Sequence, residues 1–251
     1  VPGGPIGTTF LDATNAVSSD ESITLGVDNV ATSLIVGKSK DPNFPVKIFA
    51  DLWQEAPIGF IVRHDSGLKS IKDLAGKRPD GSKWRIGATP NVPLLIPIAQ
   101  YMGVDVKDLD VTTIAGDITP LTAGQIDALF GFETTQAVAA RMTGVEYDFL
   151  PLSEIPGLSQ PGYVAMARES ELTDDKDTLV RWLRATLKGN QDMLADPEAA
   201  AQAVTDKRCG GPQMKVPQEK ALIEASRKYI EVDGGLDKVG HIDTATLDAF
   251  A

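Results

Sequence analysis

Cysteine and histidine are almost missing from this chain. Its 251 residues include one cysteine, Cys209, and two histidines, His64 and His241. A single cysteine excludes an internal disulfide and any multi-cysteine metal site, and leaves Cys209 as a loop thiol in Arg-Cys-Gly-Gly. The histidines stand in unrelated contexts, so the inventory for metal chemistry is poor, and neither a metal nor a cofactor is expected. Long apolar runs are missing too. No stretch of about 18 apolar residues occurs, so the sequence holds no membrane-spanning helix, and any signal peptide or lipid anchor is expected outside it. Positive charge is scarce: 24 Lys and Arg against 35 Asp and Glu give a net charge of -11, with no basic run to neutralise phosphates. Nucleic acid is thereby excluded as a partner. At 42% hydrophobic residues the chain can bury a sizeable core, as one large domain or as two lobes.

What is present is a repeated order of short strand, polar loop and helix. Phe10, Leu11, Ala13 and Val17 give a helical face after Thr8, Ile23 to Val27 reads as a strand, and Val30 to Val36 as the next helix. Val46 to Ala50 and Ala56 to Val62 are short buried strands. Trp84 to Ala88 is a strand, followed by a helix through Met102 that Pro97 kinks or delays. Val111 to Ala115 and Ile126 to Phe132 are strands, each followed by a helix, the first starting at Thr119-Pro120 and the second spanning Gln136 to Met142. Three prolines after Leu150 mark a loop-rich return to a strand over Tyr163 to Ala167, and the rest is helical, with starts at Pro197 and Pro217. The alternation predicts an α/β fold with a mostly parallel sheet covered by helices.

The stretch Asp51 to Arg78, DLWQEAPIGFIVRHDSGLKSIKDLAGKR, is the most informative. It runs from a polar loop into a strand, then into the turn Asp65-Ser66-Gly67. Ser70 and Asp73 follow with capping-box spacing, and Gly76 stops the helix. APIG at 56 to 59, DSG at 65 to 67 and DLAGK at 73 to 77 closely resemble the signatures of solute-binding proteins of the nitrate, taurine, alkanesulfonate and thiamine-pyrimidine-precursor family, and match the pyrimidine-precursor branch best. The resemblance implies a type II periplasmic-binding-protein fold: residues 1–61 with 165–251 form one lobe, 62–164 an inserted second lobe, two hinge crossings join them, and a ligand cleft lies between. Val1-Pro-Gly-Gly-Pro5 resembles the segment after the family's second strand, so the first strand–helix unit is expected to be absent from the sequence shown.

Two loops share one pattern. Ile23 to Asn29 and Asp127 to Thr134 each place a glycine two residues before an acid at a strand end. Carboxyl ends of strands are where α/β sheets bind ligands, so Asp28-Asn29 and Glu133-Thr134 are expected to face one cleft, with nothing nearby in sequence to neutralise either acid. Trp53 and Gln54 offer a stacking face and an amide, or a tryptophan packed on the core edge. Asp117 and Asn91 line the cleft or cap helices. Phe132 and Tyr163 are aromatic walls or core, and Arg63 and His64 are read as solvated. These loops carry carboxylates and no lysine or arginine. They suit a ligand rich in N–H donors or positive charge, such as an aminopyrimidine, better than an anion.

The reading is therefore an exported, extracytoplasmic and membrane-anchored solute-binding protein of an ABC importer, a monomer whose partners are a small nitrogen heterocycle and the transmembrane permease. A taurine, alkanesulfonate or nitrate receptor is the alternative within the class. An enzyme is the alternative outside it, because the fold also resembles thiamine-pyrimidine synthases and aromatic desulfinases. Those use a cysteine-rich motif or a nucleophilic cysteine, whereas Cys209 stands in the helical tail, so no catalytic residue is assigned.

Overall fold

The computed structural model describes residues 13–28, 32–90, 92–206, 215–231 and 239–245. The opening Val1 to Pro5 segment, Phe10, Leu11, Asn29, Val30, Asn91 and Cys209 lie outside them. The strands are β1 (Leu25–Asp28), β2 (Val46–Asp51), β3 (Ile58–Arg63), β4 (Arg85–Ala88), β5 (Asp110–Thr113), β6 (Ala128–Phe132), β7 (Tyr147–Pro151) and β8 (Val164–Arg168). The helices are α1 (Ala13–Ser19), α2 (Thr32–Lys40), α3 (Leu95–Met102), α4 (Thr119–Thr122), α5 (Val138–Arg141), α6 (Glu171–Asp174), α7 (Lys176–Ala195), α8 (Pro197–Thr205) and α9 (Val216–Ile230). The chain forms two compact units: Val1–Ala56, Gly157–Ala200 and Ser226–Ala251 make the first, Pro57–Pro156 and Ala201–Ala225 the second.

In the first unit β8 lies between β1 and β2 and runs antiparallel to both, so β1 and β2 run parallel to each other. Val164, Ala165, Met166 and Ala167 are completely buried, as a central strand covered on both faces requires. On one face Val164 and Met166 pack with Val46, Ile48 and Val17 of α1. On the other, Ala165 and Ala50 are small enough to admit Trp182 and Leu183 of α7, and Phe49 meets Trp182 edge-on at 6.0 Å. Arg168 closes the end of α1 by donating to the carbonyls of Val17 and Asp20, while its other Nη pairs with Glu171 at 2.6 Å.

The second unit has strand order β5-β4-β6-β3-β7. β4 is parallel to β5 and β6, but β3 runs against both of its neighbours. The expected mostly parallel sheet is thus corrected to one antiparallel sheet of three strands and one mixed sheet of five. A strand–helix–strand repeat dictates parallel pairing only where a crossover joins the strands. β3 and β8 instead follow segments in which the chain passes from one unit to the other. The sequence gives no expectation of a strand at β7, whose last residue, Pro151, opens the loop-rich return. β7 is an edge strand, and Pro151 at its last position is where a strand tolerates a missing donor. Pro97 stands in the first turn of α3, where its missing N–H is not needed, so it delays the helix and does not kink it.

The signature residues of the 51–78 stretch have structural roles. The Asp73 carboxylate accepts from the amides of Lys69 and Ser70, both at 2.8 Å, completing the capping box of a 3₁₀ turn over Ile71–Ala75. These bonds, that from Lys69 foremost, hold its pKa below the usual carboxylate range. Gly67 takes the left-handed conformation at φ 83° that ends the turn before it.

A partly buried ion pair anchors the start of β6. Asp127, 12% exposed, accepts from the Arg85 amide at 2.9 Å and from its guanidinium at 2.8 and 3.0 Å, with Arg78 at 3.6 Å. Burial pushes its pKa up, but the bonds from Arg85 outweigh burial and the net shift is downward. A carboxylate with a lowered folded pKa contributes stability above the unfolded value of about 3.9, and that contribution is lost as pH falls through the folded pKa. Asp127→Asn is expected to lower stability by about 1–3 kcal/mol at neutral pH, with the gap closing in acid. Thermal melts of both proteins from neutral pH downward test this, and a gap independent of pH would contradict it.

Candidate functional site

Because β1 and β2 are parallel, their carboxyl ends share one edge of the first sheet. Asp28 is the last residue of β1 and Asp51 the last of β2, and both are in register with Val164. The pairing of β2 shifts by one residue between Ile48 and Ala50. This bulge turns Asp51 to the same face as Val46, Ile48, Val164 and Asp28. An unbroken alternation would have sent it to the other face. Asp51 is 3% exposed, and its Oδ1 has no hydrogen-bond partner. Burial pushes its pKa up to about 8, against the Trp53 amide that donates to the carboxyl and with added repulsion from Asp243. At neutral pH Asp51 is therefore a carboxylic acid, able both to donate and to accept. Its backbone carbonyl accepts from the Gly240 amide at 2.7 Å and from Gln54 Nε2 at 3.3 Å, and Gln54 Nε2 also donates to the carbonyl of His241 at 3.1 Å.

The segment after Asp51 pairs with the segment before β8. The Leu52 amide donates to Tyr163, that of Gly162 to Trp53, and that of Ala56 to Gln160. Gly162 is required here, since a Cβ would lie 2.7 Å from Trp53 Cβ and 2.8 Å from the Glu55 carbonyl. Trp53 meets the Tyr163 ring edge-on at 4.5 Å and lies parallel to Tyr229 at 6.4 Å. Both Trp53 and Tyr163 also pack on the sheet face that carries Ala50 and Leu52. Burial raises the pKa of the Tyr163 hydroxyl, and Asp28 raises it further, which places that phenol in the field of the β1 carboxylate. Gln160 is 1% exposed, with neither its amide oxygen nor its nitrogen hydrogen-bonded.

In the second unit β6 ends at Phe132 and continues as a π-helical turn over Glu133–Ala137, a distortion frequent at functional positions. Glu133 and Thr134 are buried, and the Glu133 amide donates to the carbonyl of Pro57 at 2.8 Å. Gln136 holds the turn together: its Oε1 accepts from the Phe132 amide at 3.0 Å and from Thr135 Oγ1 at 2.5 Å, while its Nε2 donates to the Gly116 carbonyl at 3.2 Å. That last bond ties the β6 turn to the loop carrying Asp117, whose carboxylate accepts from the Thr119 amide at 2.8 Å at the entry to α4. Bonds from Thr119 hold the Asp117 pKa low.

One premise is corrected. Nothing nearby in sequence was expected to neutralise Glu133, yet Arg141 Nη2 approaches its Oε1 to 3.4 Å. The eight-residue separation spans the π-helical turn and α5, so neither the helix pattern nor the loop composition pointed to the pair.

The structure thus gathers Asp28, Trp53, Gln54 and Tyr163 in the first unit, and Asp117, Phe132, Glu133 and Thr134 in the second. Asn29 and Asn91 lie outside the described residues. Asp51, Gln160, Gln136 and Arg141 were missed. Asp51 had one usable signal, an acid closing an apolar strand as Asp28 does. Among the described residues no helix is long and apolar enough to cross a membrane, and no group of three or more His, Cys, Asp or Glu could hold a metal.

This architecture is that of the type II periplasmic binding proteins. The alkanesulfonate-binding protein SsuA from Xanthomonas axonopodis pv. citri, bound to MOPS, superposes with a TM-score of 0.62 over 94% of this chain and 75% of its own, at 13% identity. The aliphatic sulphonate binding protein SsuA of Escherichia coli does so with a TM-score of 0.63 over 84% and 64%, at 14% identity. Residues 9–200 match the family model described as NMT1/THI5 like, and the chain belongs to that family. It is 27% identical over 210 residues to the 4-amino-5-hydroxymethyl-2-methylpyrimidine phosphate synthase of Legionella pneumophila subsp. pneumophila, covering 80% of this chain. It is also 27% identical over 172 residues to the riboflavin-binding protein RibY of Chloroflexus aurantiacus, covering 67% of this chain. The chain spans 64% and 46% of the lengths of these two relatives.

Proposed function

We propose that this protein is the substrate-binding protein of an ABC importer and that it closes two lobes, 1–61 with 165–251 and 62–164, on a small nitrogen heterocycle such as a thiamine pyrimidine precursor or a related vitamin. The observation that carries this reading is the row Asp28–Val164–Asp51 on one face of the first sheet, with the Trp53–Tyr163 ring pair on the opposite face at the same end of the strands. It sets two carboxyls and a pair of aromatic rings at the carboxyl ends of parallel strands, where open α/β sheets bind ligands. The Asp28 carboxylate complements the N–H groups of an aminopyrimidine and repels a sulfonate or nitrate, while the Asp51 acid adds an uncharged donor and acceptor. Two relatives are named for a pyrimidine and for riboflavin, both nitrogen heterocycles, which supports the same class. Asn29, Gln54, Asn91, Asp117, Phe132, Glu133 and Thr134 complete the proposed contacts.

The protein acts as a monomer outside the cytoplasm, anchored at the membrane, and its closed form is what the permease recognises. It binds and does not turn over its ligand. The relative named as a synthase keeps one enzymatic alternative open to test, namely product formation by the purified protein from a bound pyrimidine. A thermal-shift screen against 4-amino-5-hydroxymethyl-2-methylpyrimidine, riboflavin, taurine, an alkanesulfonate and nitrate tests the ligand class. A ligand at about 100 times its Kd adds roughly 2.7 kcal/mol of stability. A shift with a heterocycle, lost in Asp28→Ala, is the expected result. A shift with sulfonate or nitrate alone would overturn the heterocycle reading and leave the transport reading standing.

A further inference from the structure

We propose that Asp51 is the specificity-determining residue of the first unit, and that its carboxylic acid pairs with an edge of the ligand carrying a ring nitrogen beside an exocyclic amine. The inference rests on the heterocycle reading above and extends it to a residue and a ligand edge. Four observations lead to it. Asp51 ends its strand level with Asp28, on the same face, either side of Val164 and about 10 Å from it at ordinary strand spacing. A bulge in β2 puts it there, and bulges re-aim side chains beside functional sites. The residue is 3% exposed, and Oδ1 accepts no hydrogen bond. A buried polar atom without a partner is disfavoured by about 1–3 kcal/mol, and such atoms in native proteins call for an explanation in function or bound solvent.

The groups around the carboxyl fix its protonation. The Trp53 amide donates to it and Asp243 repels its charged form. Asp28 shares its row, and the Tyr163 phenol lies in the field of Asp28. Gln54 is occupied with the backbone carbonyls of Asp51 and His241, and His241 is presented here through its carbonyl. Among the described residues no cation acts on the carboxyl. The neutral acid donates its O–H to the ring nitrogen and accepts from the adjacent amine with its carbonyl oxygen, two parallel bonds to one planar edge. The carboxylate lacks the donor and meets the ring nitrogen with a lone pair.

Asparagine presents the same donor and acceptor at every pH, whereas leucine presents neither, and this gives the test. Isothermal titration of the full chain with 4-aminopyrimidine and with 4-amino-5-hydroxymethyl-2-methylpyrimidine is compared for wild type, Asp51→Asn and Asp51→Leu at about pH 6 and about pH 9. With the acid form near one-tenth populated at the higher pH, wild-type affinity is expected to fall about tenfold more than that of Asp51→Asn. Titration of the ligand itself is common to both proteins and cancels. Asp51→Leu is expected to lose at least about tenfold at the lower pH, the loss of one good hydrogen-bonded contact. If that variant does not fold, as circular dichroism would report, the wild-type and asparagine pH profiles decide alone. Aminopyrimidine binding with the same pH profile in wild type and Asp51→Asn overturns the assignment and leaves the heterocycle reading intact. Wild type that binds neither pyrimidine overturns both.

Discussion

Gly59→Ala is expected to destabilise the second unit by on the order of 3 kcal/mol or more. Gly59 lies within β3, between β6 and β7, in register with Gly131 on one side and Pro151 on the other. A Cβ built there would stand 2.2 Å from the Leu150 carbonyl oxygen and 2.9 Å from Pro151 Cα. Both are backbone atoms of β7, so no side-chain rotation relieves the overlap, and β7 must separate from β3. The measurement is thermal unfolding together with hydrogen exchange at the β7 amides. Loss of protection there at temperatures where wild type is intact is the expected result, and a melt unchanged from wild type would refute the close approach. Gly67→Ala is the comparison: nothing lies within 4 Å of its Cβ, so the cost is that of holding alanine at φ 83°, about 1–2 kcal/mol.

Stability should also fall as pH rises, and Asp51 is the reason. Its pKa is about 3.9 in an unfolded chain, and burial pushes it up to about 8 in the fold. Between those values the folded state holds a proton that the unfolded state has released, so stability declines with rising pH across that window. The stabilisation is complete below about pH 4 and has gone above about pH 8. The difference corresponds to on the order of several kcal/mol. Asp51→Asn removes the dependence, so its melting temperature relative to wild type should rise steadily through that window and then level off. Melts across it at fixed ionic strength provide the check. Parallel curves would mean that the buried carboxyl is already ionised and compensated.

These two positions bear differently on how much could be read beforehand. Gly59 belongs to the APIG signature, Gly67 to DSG and Asp73 to DLAGK. The signatures that gave the family away serve a strand approach, a turn and a cap. They were legible because each is a local constraint met by few residue types: absence of a side chain, a left-handed backbone, a carboxylate three residues after a serine. Asp28 and Glu133 were legible for a related reason, an acid closing an apolar strand. The partner of Glu133 was not, because Arg141 reaches it across a π-helical turn.

The sequence by itself determined the element order apart from β7, the turns and caps, the α/β class and the family, since hydrophobic period and backbone preference act over a few residues. Tertiary structure decided strand direction, the burial of Asp51 and Gln160, and the neutralisation of Glu133. Strand direction depends on whether a helix or a passage between units joins two strands, which short windows do not encode. The ionisation of Asp51 depends on how many atoms displace water around it and on a single bulge that turns it to the face of Asp28. Both are properties of strands brought together from residues 25–28, 46–51 and 164–168, and none of those segments carries them alone.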